Sequence, residues 1–191
     1  MKKTIIAMLM GVTLCIFTLS AQDSASRDGA ARLGVMLNHF SPRTAFTTGA
    51  IPRADLDLIV QTAVRTGSAG NRQPWFFTVV QDLTLAQRVV PQSVQGNVII
   101  VISTEGTTER EIIDCALATQ TIYLAAQALG YGSQIYTGPI AMVNRDLKSP
   151  LGLPANRNAV AAVRIGRVAA ATDAASSASP RRAASEMVTF R

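Results

Sequence analysis

The chain has 191 residues, 48% of them hydrophobic and 16% charged, with a formal net charge of +6, one histidine and two cysteines. This composition suits one globular domain with a sizeable core and leaves two domains cramped. The positive charge does not come as a lysine block interleaved with aromatics, which argues against nucleic-acid binding, and a single histidine leaves no Cys/His cluster of metal-ligand spacing. No metal is expected.

Lys2 and Lys3 precede an almost wholly apolar run over 4–17, and the small residues of TLSA at 18–21 offer a cleavage site. Residues 1–21 therefore read as a secretory signal peptide with a mature start near Gln22, which implies export to the periplasm or beyond. The apolar run is too short for a comfortable bilayer span, and no other segment could make one. Removing 1–21 takes away two lysines and Cys15, so the charge falls to +4 (16 basic against 12 acidic). Cys115 is then the sole cysteine, an intramolecular disulfide is excluded, and its apolar helical setting reads as a buried structural thiol. Lipid attachment at Cys15 is the alternative, disfavoured by Leu14 standing where a small residue is needed.

Along the chain, 30–38 can form a short helix with Leu33, Met36 and Leu37 on one side, followed by the polar turn HFSPR. A second helix opens at 51–55, carries Leu56, Ile59, Val60, Ala63 and Val64 at three- and four-residue steps, and stops at Gly67. Residues 76–80 are strand-like, 83–90 a short helix, and 97–103 (NVIIVIS) a fully buried strand. The longest helix is predicted over 109–129, after Thr107 and Thr108 and before Gly130. A short strand at 134–136, a helical turn at 144–147 and a buried strand at 159–165 follow. Residues 169–178, rich in alanine and serine, read as an extended connector to Pro180, Arg181, Arg182 and the segment EMVTF. Strands and long helices do not alternate regularly, so the expected class is α+β around a central helix. GxGxxG, Walker and GxSxG motifs are all missing.

Four separated pieces could share one site. In HFSPR at 39–43 the Ser41 hydroxyl and the Arg43 guanidinium, two residues apart, form either a solvated turn or a phosphate grip. In GSAGNRQPW at 67–75, Gly67 and Gly70 permit unusual backbone conformations, and Trp75 gives an apolar anchor. Asn71 and Gln73 either satisfy their own turn or recognise a heterocycle with alternating donors and acceptors. Gly130 and Gly132 read as a helix cap and turn, whereas Thr137 and Gly138, just past a strand, would let a flat ligand approach the backbone. Arg181 and Arg182 close an otherwise uncharged tail.

In this order and spacing the pieces resemble the nitroreductase family of FMN-dependent oxidoreductases over about residues 30–190. The family's R-x-S-x-R opening is matched by Ser41 and Arg43, with His39 in the first arginine's place. Its A-P-S-x-x-N-x-Q-P-W loop is similar to 66–75, where Ser68, Asn71, Gln73, Pro74 and Trp75 match and Gly67 stands for proline. LAAQALGYGSQIYTGP resembles the segment that ends the family's long helix, and SPRRAASEMV its K-P-R-x-x-x-E-x-V close, with Ser179 in the lysine's place.

The resemblance implies a nitroreductase-like α+β fold, with a mixed, mostly antiparallel sheet around a long central helix. Residues 22–191 would form a single domain with a C-terminal arm from about 169, and a homodimer whose arms embrace the partner would enclose the site. FMN would be held at its phosphate by Ser41, Arg43 and Arg181, with His39 and Arg182 assisting. Asn71 and Gln73, supported by Ser68, would read its pyrimidine edge, and Thr137 and Gly138 would face N5. The implied reaction is ping-pong hydride transfer from NAD(P)H or another donor to a nitroaromatic or quinone-like acceptor, with no side chain acting as nucleophile. A non-catalytic flavin- or ligand-binding module of the same fold is the alternative.

Overall fold

The computed structural model describes residues 33–36, 45–169 and 182–191. Contacts divide the chain into two units, Met1–Asn38 and His39–Arg191. Of the first, residues 33–36 are helical, within the helix expected at 30–38, and the rest of that helix and the signal segment lie outside the described residues.

In the second unit the strands are β1 (Phe46–Thr47), β2 (Phe76–Val80), β3 (Val98–Thr104), β4 (Gly132–Tyr136) and β5 (Asn158–Val168). The helices are α1 (Arg53–Val64), α2 (Leu83–Val89) and α3 (Glu109–Ala128). The described strands form one sheet in the order β1-β5-β3-β2, with β4 also paired to β5, and every pairing is antiparallel. β3 is buried at all seven positions, as its unbroken apolar run predicts.

Alternation along β3 and β5 feeds two cores. Val98, Ile100 and Ile102, with Ala161, Val163 and Ile165, pack on one face against Leu56, Ile59 and Ala63 of α1 and Cys115, Ala118, Ile122 and Ala126 of α3. On the other face Ile99, Val101 and Ala162 meet Ala86 and Val89 of α2 and Val143, Leu147 and Leu151. The buried Cys115 thiol expected from the sequence is thus a core residue, and burial followed by the neighbouring Asp114 and Glu111 charges pushes it up to about 11. Val64, read as part of the apolar stripe of α1, is instead exposed at its last turn.

α3 starts at a capping box, in which the Thr108 hydroxyl accepts from the Glu111 N–H and the Glu111 carboxylate accepts from Thr108. It ends in a Schellman turn: the Tyr131 N–H donates to Ala126 O and the Gly130 N–H to Gln127 O, with Gly130 at φ 81°. The helical turn expected at 144–147 begins earlier, as Ile140–Met142, and widens into a π turn over Val143–Leu147. Asn144 fixes that turn to the start of β5, donating to Ala159 O at 3.0 Å and accepting from Ala159 N–H at 2.7 Å.

β1, not foreseen from the sequence, is held by a buried arginine. Arg164 is 1% exposed and lies 3.9 Å over the Phe46 ring. It donates to Asn97 Oδ1 and to Gln92 O, each at 2.8 Å. Burial lowers its pKa, and the adjacent Tyr136 hydroxyl opposes that shift.

Candidate functional site

The loop 67–75 is built as a small, strained platform. Ser68 takes extended dihedrals before a 3-10 turn over Ala69–Asn71, and its Oγ accepts the Gln73 N–H at 3.0 Å. Gly70, Asn71 and Gln73 have φ of 64°, 53° and 48°. The left-handed region costs nothing for glycine and little for asparagine, but Gln73 is there only because its surroundings hold it. Trp75 is buried in the core beneath, the anchor that the sequence suggested.

Both loop amides are exposed, and Gln73 Nε2 donates to Asn71 Oδ1 at 3.1 Å and to Asn71 O at 3.4 Å. Two readings of these amides were open, a self-satisfied turn and a ligand reader, and the internal bonds belong to the first. The internal bond uses the Gln73 donor and the Asn71 acceptor. Among the described residues the Asn71 NH2 and the Gln73 carbonyl keep no partner, so the exposed loop offers donors from one amide and an acceptor from the other. At its exit the loop is tied down by Arg157, which donates to Pro74 O at 3.1 Å, pairs with Glu105 at 3.0 Å and lies 5.1 Å over the Phe76 ring.

Thr137 and Gly138 follow β4 and are exposed, and nothing lies within 4 Å of where a Gly138 side chain would begin. Just before them, the Tyr136 hydroxyl donates to Gln134 Oε1 at 3.0 Å and accepts from Gln92 Nε2 at 3.2 Å. The register relates this turn to the loop. Phe76 pairs with Ser103 and Ser103 with Ala159, while Tyr136 pairs with Ala162, so both segments leave the same end of the sheet. Two strands separate them, a lateral distance of about 14 Å.

β1 lies elsewhere, since Phe46 pairs with Val168 at the far end of β5. Val168 lies nine steps along β5 from Ala159, about 30 Å of strand, so one chain anchors the segment that follows Ser41 and Arg43 far from its own amide loop. His39, Ser41, Arg43 and Arg181 lie outside the described residues. Arg182 is exposed and pairs with Glu186 at 3.1 Å, one helical turn away. Sequence reasoning singled out neither Arg157 nor Asp114, whose Oδ1 accepts from the Ala69 N–H at 3.1 Å, and both bind the loop backbone.

The nitroreductase family model matches residues 36–97 and 94–167. An Archaeoglobus fulgidus protein, provisionally named an NADH dehydrogenase/NAD(P)H nitroreductase, is 30% identical over 125 residues, which are 59% of this chain and 71% of that protein. The FMN-dependent nitroreductase NfnB from Mycobacterium smegmatis, solved in complex with NADPH, superposes with a TM-score of 0.73 at 17% identity, over 85% of this chain and 99% of its own. A Bacteroides fragilis nitroreductase solved with bound FMN gives 0.69 at 19% identity, over 83% and 97%. The fold is that of the nitroreductases, α+β with an antiparallel sheet and a long central helix, as the sequence led one to expect. The chain belongs to the nitroreductase family.

Proposed function

We propose that the protein is an exported, FMN-dependent oxidoreductase that works as a homodimer. The observation that carries this reading is the exposed loop, whose Asn71 donors and Gln73 acceptor, without partners among the described residues, are the group types that a flavin pyrimidine edge, with its carbonyls and imide N–H, requires. The open backbone at Gly138 suits a planar ring, so the residues present fit the cofactor at its ring end. Ser41, Arg43 and Arg181, with His39 and Arg182 beside them, are the groups proposed for its phosphate. When bound, FMN supplies two-electron chemistry in a ping-pong cycle, reduced by NAD(P)H or another donor and reoxidised by an electron-poor acceptor such as a nitroaromatic or quinone. The protein's own part is positioning: the loop amides fix the ring in its plane, and the 137–138 turn leaves one ring edge accessible.

The separation along β5 supports the dimer, because a second copy can bring its amide loop to the end where the first anchors β1. Ile113 and Leu117, one turn apart on α3 and each at least half exposed, offer apolar surface for such a partner. The lysine pair and apolar run at the N-terminus support export. The test is anaerobic addition of NADH or NADPH to the FMN-loaded protein, followed by a quinone. Bleaching of the flavin band by the nicotinamide and its return with the quinone establish the oxidoreductase, whereas a bound flavin that dithionite bleaches but neither nicotinamide reduces, and that the quinone does not reoxidise, makes the protein a binding module.

A further inference from the structure

The amide loop is not a free surface turn, and apart from Arg157 at its exit its ties fall on one line of the central helix. Glu111, Asp114, Ala118 and Thr121 follow one another on α3 at steps of three and four, a single stripe. The Thr66 hydroxyl, at the loop's entry, donates to Thr121 Oγ1 at 2.9 Å. The Ala69 N–H, at the head of the 3-10 turn, donates to Asp114 Oδ1 at 3.1 Å. Arg72 adds to the lowering of the Glu111 pKa, behind the larger effects of the Thr108 hydroxyl and N–H. Asp114 stands apart from the other two because it is 3% exposed and its second oxygen has no hydrogen-bond partner among the described residues. Burying a carboxylate with one oxygen unsatisfied is costly, and an apolar residue would serve that core position better. A carboxylate there is explained by what its other oxygen does.

We propose that Asp114 is a positioning residue for the ligand loop, holding the first N–H of the 3-10 turn so that Gly70, Asn71 and Gln73 stay left-handed and the two loop amides stay aimed outward. This rests on the reading of the loop as the flavin platform, and it adds to that reading a buried group that touches no ligand. The carboxyl oxygen takes the first N–H of the turn directly, so it fixes the place on the helix where the turn begins. Without it, the strained dihedrals at Asn71 and Gln73 have lost their tie to the helix, and the loop relaxes.

The test combines hydrogen exchange with FMN titration for the wild type, Asp114→Ala and Asp114→Asn. In the wild type the Ala69 amide is protected. In D114A the amides of 67–75 exchange about tenfold faster or more while those of β3 and β5 are unchanged, and FMN affinity falls by a similar factor. D114N, which keeps an acceptor at Oδ1, restores most of both. An unprotected Ala69 amide in the wild type overturns the proposal without any substitution. Acceleration spread evenly over the domain also overturns it, since Asp114 is then an ordinary core residue. Should the wild type take up no FMN, the flavin reading falls, and the exchange data still decide whether Asp114 holds the loop.

Discussion

Gly166→Ala tests the buried arginine network that holds β1. A methyl group at Gly166 would overlap the Asn97 amide nitrogen and press on Phe46 Cδ1 at 2.9 Å. Asn97 is 1% exposed and cannot swing into solvent, so its amide must leave the place where Oδ1 accepts from Arg164 Nε at 2.8 Å and from the Val94 N–H at 3.1 Å. Losing a bond to a charged group costs about 1.5–3 kcal/mol and a neutral one about 0.5–1.5 kcal/mol. The stiffer unfolded chain of an alanine variant offsets roughly 0.4–1 kcal/mol. The net loss is about 1.5–4 kcal/mol, which lowers Tm by roughly 5–15 °C in a domain of this size. Gly138→Ala is the control, because it meets open space and its backbone has no positive φ. Urea and thermal unfolding of both variants decide the matter: G166A melting with G138A and the wild type would refute the claim that Asn97, Arg164 and Phe46 form one locked unit.

Alkaline pH should weaken the fold through Cys115. Its thiol ionises near 9 in the unfolded chain and only at about 11 when folded, so the unfolded form loses its proton first. The contribution is full below pH 9, shrinks between 9 and 11 and is gone above, by up to about 3 kcal/mol. Urea midpoints across that window should fall more steeply for the wild type than for Cys115→Ala, and parallel curves would contradict this. Leu117→Glu on the exposed face of α3 should make the protein sediment as a monomer where the wild type sediments as the proposed dimer, and abolish FMN uptake with it; a wild type that is itself monomeric, or a monomer that still binds FMN, would contradict the shared site.

Much of the fold was legible because its signals are local. The unbroken run NVIIVIS reads as a strand buried on both faces, and Thr108 with Gly130 marked the two ends of the central helix to within a residue. β1 was not legible, because two residues carry no period and Phe46 is placed by pairing with Val168 and by contact with Arg164, both distant in sequence. An arginine inside a strand gives no sign of burial, since its side chain could as well have reached water. Of the proposed site, residue type and spacing pointed to Asn71, Gln73, Thr137 and Gly138, and the structure places all four at the surface. The left-handed backbone of Gln73 could not, since nothing about glutamine favours it, and Asp114 reads as one more polar residue in an apolar helix until a backbone N–H 45 residues away is found on its oxygen.

The central claim is that the exposed amides of loop 67–75 hold a flavin ring, and FMN fluorescence titration of the wild type beside Asn71→Ala tests it most directly. Saturable quenching by the wild type, with affinity at least about tenfold weaker in N71A at unchanged thermal stability, is the expected result for a lost ligand hydrogen bond. A wild-type protein that leaves FMN fluorescence unchanged, or an N71A variant that binds as tightly, would contradict it.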